Sequence, residues 1–268
     1  MMAINKISGI LEFHKKLLDF VDADVKQTIQ NQVKTQLGSF KIICLVLFTK
    51  STKTFRAIQH LCGKGIGYGE DAMILTRSLL ENLINLAYIA NPQQEEERER
   101  RAKLFANWLI IDLKRKIDGL PSDDPLKPQL EEHFKNWQSI GVDYGEINRL
   151  HQGECQKLRA TGKQPNKRYW SYLSIKGRAE EVGLLPAYNG IYWICSKIAH
   201  PDPGVTNFYV NEMPDRNSII YDTPNPTLIE ETLAFSFDYY IRMVGLINNI
   251  FNLRLDGKIN GMKNNFIK

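Results

Sequence analysis

An all-α fold, arranged as a single multi-helix bundle, is predicted by three observations. Apolar residues recur every three to four positions along most of the chain, the period of an amphipathic helix. Glycine and proline gather at a few places that separate those runs. Alternating β-branched and aromatic residues occur only near 204–222, where a short extended or hairpin insertion is expected. One domain spanning 1–268, with its core over about 40–255, is the simplest arrangement.

The elements follow in order. Ile4–Phe20 is amphipathic, with Ile7, Ile10, Leu11, Leu17 and Leu18 on one side. The polar, helix-prone Asp22–Gln36 runs into the apolar Phe40–Phe48. A further helix covers Ser51–Leu61 and stops at Gly63, Gly65, Gly67 and Gly69, a helix-to-helix turn. Glu70–Ala90 is apolar nearly all round, which places it centrally, and Asn91-Pro92 ends it. Glu95–Asp118 opens on the charge run Glu95–Arg101, read as a solvated first turn, and carries the apolar line Leu104, Phe105, Trp108, Leu109 and Ile111. Helices over Leu126–Ser139 and Val142–Arg159 form a protruding hairpin within 121–165. Tyr169–Val182 and Pro186–His200 are shorter helices. Phe208–Val210 and Ser218–Tyr221 pair as a small hairpin or run as an extended loop. Thr227–Leu253 closes the bundle, and Asp256–Lys268 is a basic, frayed tail.

Composition narrows the function classes. Apolar content of 43% and charged content of 24% are those of a water-soluble globular protein. Cys44, Cys62, Cys155 and Cys195 are scattered without a CxxC pair, which argues against a zinc site or a disulfide framework. Cys44 and Cys195 fall in apolar helical runs and are expected buried and inert. Met1–Lys16 lacks a basic start followed by a long apolar stretch, so no secretory leader is expected. The apolar run Phe40–Phe48 is half the length of a membrane span. A cytoplasmic protein with no membrane contact, no metal and no cofactor is therefore expected. A net charge of +5 permits contact with nucleic acid without demanding it.

Two polar stripes interrupt the apolar helices. Tyr188, Tyr192, Ser196 and His200 stand at successive i+4 positions, each step drifting only about 40° around an α-helix. Pro201 disfavours helix at His200, so the imidazole belongs on the last turn, three residues after Lys197. Arg77, Glu81 and Asn85 repeat the spacing on the central helix, where Arg77 and Glu81 can pair. One reading makes Arg77–Glu81 a buried strut and the ladder a set of satisfied core polar groups. The other brings the stripes together around a cleft. His200 is then the titratable group, Arg77 a phosphate-binding fork, and Tyr192 and Ser196 orienting groups.

Other residues carry weaker signals. Arg56 and His60 share a helix face and read as a surface pair. His14, His133 and His151 sit in charged contexts and are expected exposed. The alternating glycines of Gly63–Gly69 lack the preceding strand and following GK[ST] of a phosphate loop. No GxSxG elbow supports a serine hydrolase. Lys157, Arg159, Lys163, Lys167 and Arg168 with Tyr169-Trp170 combine charge and stacking surface, read as a solvated loop or a nucleic-acid contact.

Thr54-Phe55-Arg56-Ala57-Ile58, Glu70-Asp71-Ala72, Leu75–Glu81, Trp170, Ile175–Gly183, Tyr188, Tyr192, Ser196 and His200-Pro201 together resemble a family of uncharacterised bacterial helical proteins. The resemblance runs over roughly 40–255. More loosely, the chain is similar to the HEPN superfamily of helical nucleotide-binding and RNA-cleaving domains, often dimers in toxin and antiviral systems. Their motif is an arginine followed after four to six residues by a histidine. This sequence departs from it, since Lys197 precedes His200 and Arg77 would have to serve from another helix. The resemblance implies a metal-independent ribonuclease or toxin in stress or phage defence. Catalysis would rest on His200, Arg77 and Glu81, with Tyr192, Ser196, Tyr188, Asn85 and Lys197 holding substrate. RNA, a cognate protein and a second copy of the chain are the partners it implies. The alternative is a non-catalytic helical module that binds a protein or nucleotide in the same cleft.

Overall fold

The computed structural model describes residues 2–32, 37–199, 210–212, 218–220 and 226–267. Among the described residues the fold is all-helical apart from one small antiparallel strand pair. The chain gathers into two compact units, 1–91 with 178–268, and 92–177.

In the first unit, α1 (Met2–Phe20) continues through a π-helical turn, Val21–Val25, into α2 (Lys26–Gln32). The apolar runs at 40–48 and 51–61 merge into one helix, α3 (Ser39–Lys64). Gly65, at φ 138°, ends it in a conformation that other residues avoid. A 3₁₀ turn then leads to α4 (Gly69–Ala90), so the glycine cluster is the turn the sequence predicts. Glu70 and Asp71 lie in the first turn of α4, where the helix dipole favours acids.

α4 is central. It packs against α3 and against α11 (Pro226–Phe251), and Leu79, Leu80, Leu83, Ile84 and Leu86 are fully buried along it. Burying each such side chain contributes about 1.5–3 kcal/mol. α1 lies against α3 and α11. The tail is not frayed. It forms α12 (Asp256–Ile267), which buries Ile259 and stacks Phe266 on Phe237 at 3.9 Å.

The hairpin insertion is present in its described part, with Val210–Glu212 pairing antiparallel to Ser218–Ile220 and Val210 opposite Ile220.

The second unit is built on α5 (Glu95–Gly119), α6 (Lys127–Ser139) and α7 (Tyr144–Ala160). Asp143 caps α7, its carboxylate accepting from the Glu146 N–H at 3.1 Å. The hairpin expected at 121–165 is α6–α7, and it packs on α5 around Ile110, Ile111 and Ile147. The charge run at 95–101 is not simply solvated. Glu97 accepts from Arg100, Arg101 and Lys157, and Arg100 also holds the buried Glu154 of α7. The predicted helix over 169–182 is reduced to α8 (Ile175–Glu181), because Tyr172 adopts φ 57° and breaks the run.

Candidate functional site

Arg77 and Glu81 lie one turn apart on α4, half-buried, with Arg77 Nε donating to Glu81 Oε1 at 3.1 Å. The second stripe begins after the single turn α9 (Leu185–Ala187). Tyr188–Tyr192 is π-helical and passes into α10 (Trp193–Ala199). The regular α-helix expected over 186–200 is therefore corrected, with Asn189 and Gly190, two poor helix formers, inside the widened turn. π segments of this kind recur at functional sites.

The π turn and α10 pack on α4, and the two stripes meet. Arg77 Nη2 donates to Tyr192 Oη at 2.6 Å, and its guanidinium carbon lies 4.3 Å from the Tyr192 ring centroid. Tyr188 stacks on Tyr192 at 4.5 Å with 20° between planes. The result is a layered cluster of carboxylate, guanidinium and two phenol rings. Burial opposes the charge on Arg77, but Tyr192 and the Glu81 carboxylate outweigh it and hold the group above its ordinary value. Burial and the Glu81 charge push the Tyr192 hydroxyl up, against the pull of Arg77. Cys195, fully buried beneath, has its thiol pushed up to about 12 by burial, so it is inert as the sequence suggests.

The remaining predicted residues divide. Asn85 and Ser196 are half-buried on the same two elements. Lys197 lies over the exposed Trp193 ring at 4.0 Å, one turn back on α10. His200 lies outside the described residues. Among the described residues, no group of three or more His, Cys, Asp or Glu side chains is placed to hold a metal. No described helix is long and apolar enough to cross a membrane.

Histidine burial overturns one expectation. His133 is exposed, but His14 and His151 are buried. His14 Nε2 meets the Leu233 carbonyl at 2.8 Å and its ring stacks on Phe55 at 4.4 Å. Burial lowers its pKa to about 4, against the opposing hydrogen bond. The signal was in the sequence, because His14 lies between Ile10/Leu11 and Leu17/Leu18 on the apolar face of α1. His151 follows Ile147 by one turn in the same way, and burial and then Arg115 lower its pKa to about 4. Arg56, expected as the partner of His60, instead pairs with Asp22 across an open cleft of about 790 Å3 that His60 also lines. In the basic segment, Trp170 is buried edge-on to Phe105 at 5.2 Å, so it offers no stacking platform to a nucleic acid.

The model of DUF5677, a family of unknown function, matches residues 41–218. The chain belongs to this family. The match takes in both stripes, Arg77–Asn85 and Tyr188–His200. No curated protein and no solved structure matches the chain.

Proposed function

We propose that this DUF5677 chain is a HEPN-like, metal-independent ribonuclease or toxin acting in stress or phage defence. The observation that carries the reading is the Arg77–Tyr192 hydrogen bond of 2.6 Å, which brings two separately predicted polar stripes to one place. Glu81 and Tyr192 hold the guanidinium through Nε and Nη2, and a guanidinium has further donors for a phosphate oxygen. In the proposed reaction the RNA 2′-OH attacks phosphorus, the bond to the 5′-oxygen breaks, and a cyclic phosphate forms. One His200 imidazole takes the 2′-OH proton and another, from a second copy, protonates the leaving oxygen. Arg77 stabilises the charge that develops on the phosphate.

The test is cleavage of single-stranded RNA in a chelator, comparing wild type with His200→Ala and Arg77→Ala variants whose folding is checked by circular dichroism. The expected losses are ~10²–10⁴-fold for His200→Ala and ~10²–10³-fold for Arg77→Ala. Folded variants that cleave like wild type would remove the assignment. The half-burial of Arg77 and the engagement of two of its nitrogens also favour a second reading, a non-catalytic module for a protein or nucleotide. Absence of cleavage by wild type would select it.

A further inference from the structure

The second unit holds a pocket of about 350 Å3 that the ribonuclease reading does not use. That volume lies within the range of small-ligand sites. Arg115 of α5, Arg159 of α7 and Lys167 of the following loop contribute three cations to its wall, and among the described residues no carboxylate lines it. Unlike Arg77 and Arg100, none of the three makes an ion pair among the described residues. Three uncompensated cations around one concavity repel each other, and an anion in the pocket relieves that repulsion.

The arginine is held ready. Arg115 Nη1 donates to the Lys167 carbonyl at 2.6 Å and Nη2 to the Tyr172 hydroxyl at 3.1 Å. Its guanidinium carbon lies 4.9 Å from the Trp108 ring centroid and 5.6 Å from that of Tyr172. These contacts fix the plane of the fork, so little side-chain entropy remains to be lost on binding.

Two further features point to a ligand. His151 is buried at the wall, with Nδ1 3.2 Å from the Tyr172 hydroxyl and Nε2 without a hydrogen-bond partner among the described residues. Unsatisfied buried polar atoms are rare and call for a reason. Tyr172 itself is fully buried and kept at φ 57°, with its N–H and carbonyl bonded to Tyr169 and Asn166. That costly backbone aims its hydroxyl at both Arg115 and His151. Along α7, Asn148, Gln152 and Gln156 line the same pocket at i+4 spacing, three amides suited to the hydroxyls and base edge of a nucleoside.

We infer that this pocket binds the phosphate of a small phosphorylated ligand of nucleotide size, with Arg115 as the planar clamp and Arg159 and Lys167 as supporting charges. The site lies wholly within 92–177 and stands independently of the Arg77 cluster.

Isothermal titration calorimetry on the full chain tests it, with ADP, inorganic phosphate, adenosine and a short single-stranded RNA as probes. ADP is expected to bind saturably, phosphate more weakly and adenosine not at all. Arg115→Gln should weaken ADP at least ~tenfold. Because Arg115 also braces Trp108 and Tyr172, the exposed Lys167→Gln and Arg159→Gln serve as variants that leave the fold intact, each weakening ADP several-fold. Arg77→Ala should bind ADP like wild type, which separates this site from the ribonuclease assignment. Adenosine binding as well as ADP, unchanged affinity in the Lys167 and Arg159 variants, or no ADP binding at millimolar concentration would each overturn the inference. RNA competing more tightly than ADP for the same residues would replace the small ligand with a nucleic acid.

Discussion

Tyr192 serves Arg77 in two ways, as an acceptor through its hydroxyl and as a ring beneath the guanidinium. The two contributions separate by substitution. Tyr192→Phe keeps the ring and removes the acceptor, and should cost about 1 kcal/mol in chemical denaturation. Tyr192→Ala removes both and should cost more, with the loss of the Tyr188 stack added. Equal costs for the two variants would mean that the hydrogen bond, and not the stacking, carries the whole contact. Much of this cluster was legible beforehand, since the i+4 spacing of Arg77 and Glu81 and of Tyr188 and Tyr192 already put each pair on one face. The bond between Arg77 and Tyr192 was not legible, because it joins positions 115 residues apart. The contact between Arg115 and Tyr172 is hidden from the sequence for the same reason, its partners standing 57 residues apart.

Helices α3 and α11 are tied by a buried polar link amid rings. The Thr52 and Tyr240 hydroxyls meet at 2.7 Å, and the Tyr240 ring stacks on Phe55 at 4.3 Å and lies parallel to Phe48. Removing one hydroxyl takes a hydrogen-bond partner from the other in the core. Tyr240→Phe is therefore expected to cost about 1–3 kcal/mol. Thr52 has a fallback in the Phe48 carbonyl, which should keep that cost near the lower end. Thr52→Val with Tyr240→Phe should cost less than the sum of the single changes, and a double-mutant cycle measures the difference. Additive costs would show that the two hydroxyls do not depend on each other. At this scale the periodicity located most helices within a few residues, and it failed where the main chain departs from α geometry. The π turns at 21–25 and 188–192 keep a helical residue pattern while widening the coil. The tail became α12 because Phe266 finds Phe237, a partner no local pattern announces.

Among the described residues, each unit buries one histidine held neutral, His14 in the first and His151 in the second. Both have pKa values lowered from 6.5 to about 4, so the unfolded chain takes up these protons at higher pH than the folded one. Stability from this source is complete above pH 6.5 and is lost as pH falls from 6.5 towards 4. For His14 the loss is about 3 kcal/mol. Glu97 acts lower down: Arg100 and Lys157 hold its pKa at about 2, so its contribution is present above pH 4.5 and is lost from there towards pH 2. Thermal unfolding followed between pH 7 and 4 should show a falling Tm, and His14→Phe should flatten that fall. A Tm independent of pH across this window would mean that His14 is not held neutral in the fold.

By itself the sequence determined what depends on near neighbours: helical class, the glycine turn before α4, the centrality of that helix, and the two polar stripes. These follow from a repeating backbone whose side chains three and four positions apart share a face. Tertiary structure alone decided what depends on distant residues. It joined Arg77 to Tyr192, buried His14 and His151, folded the tail, and gathered Arg115, Arg159 and Lys167 around one pocket. Burial, pKa and cavity shape are set by every element packed around a group, and a local pattern carries only the group's own side of that packing.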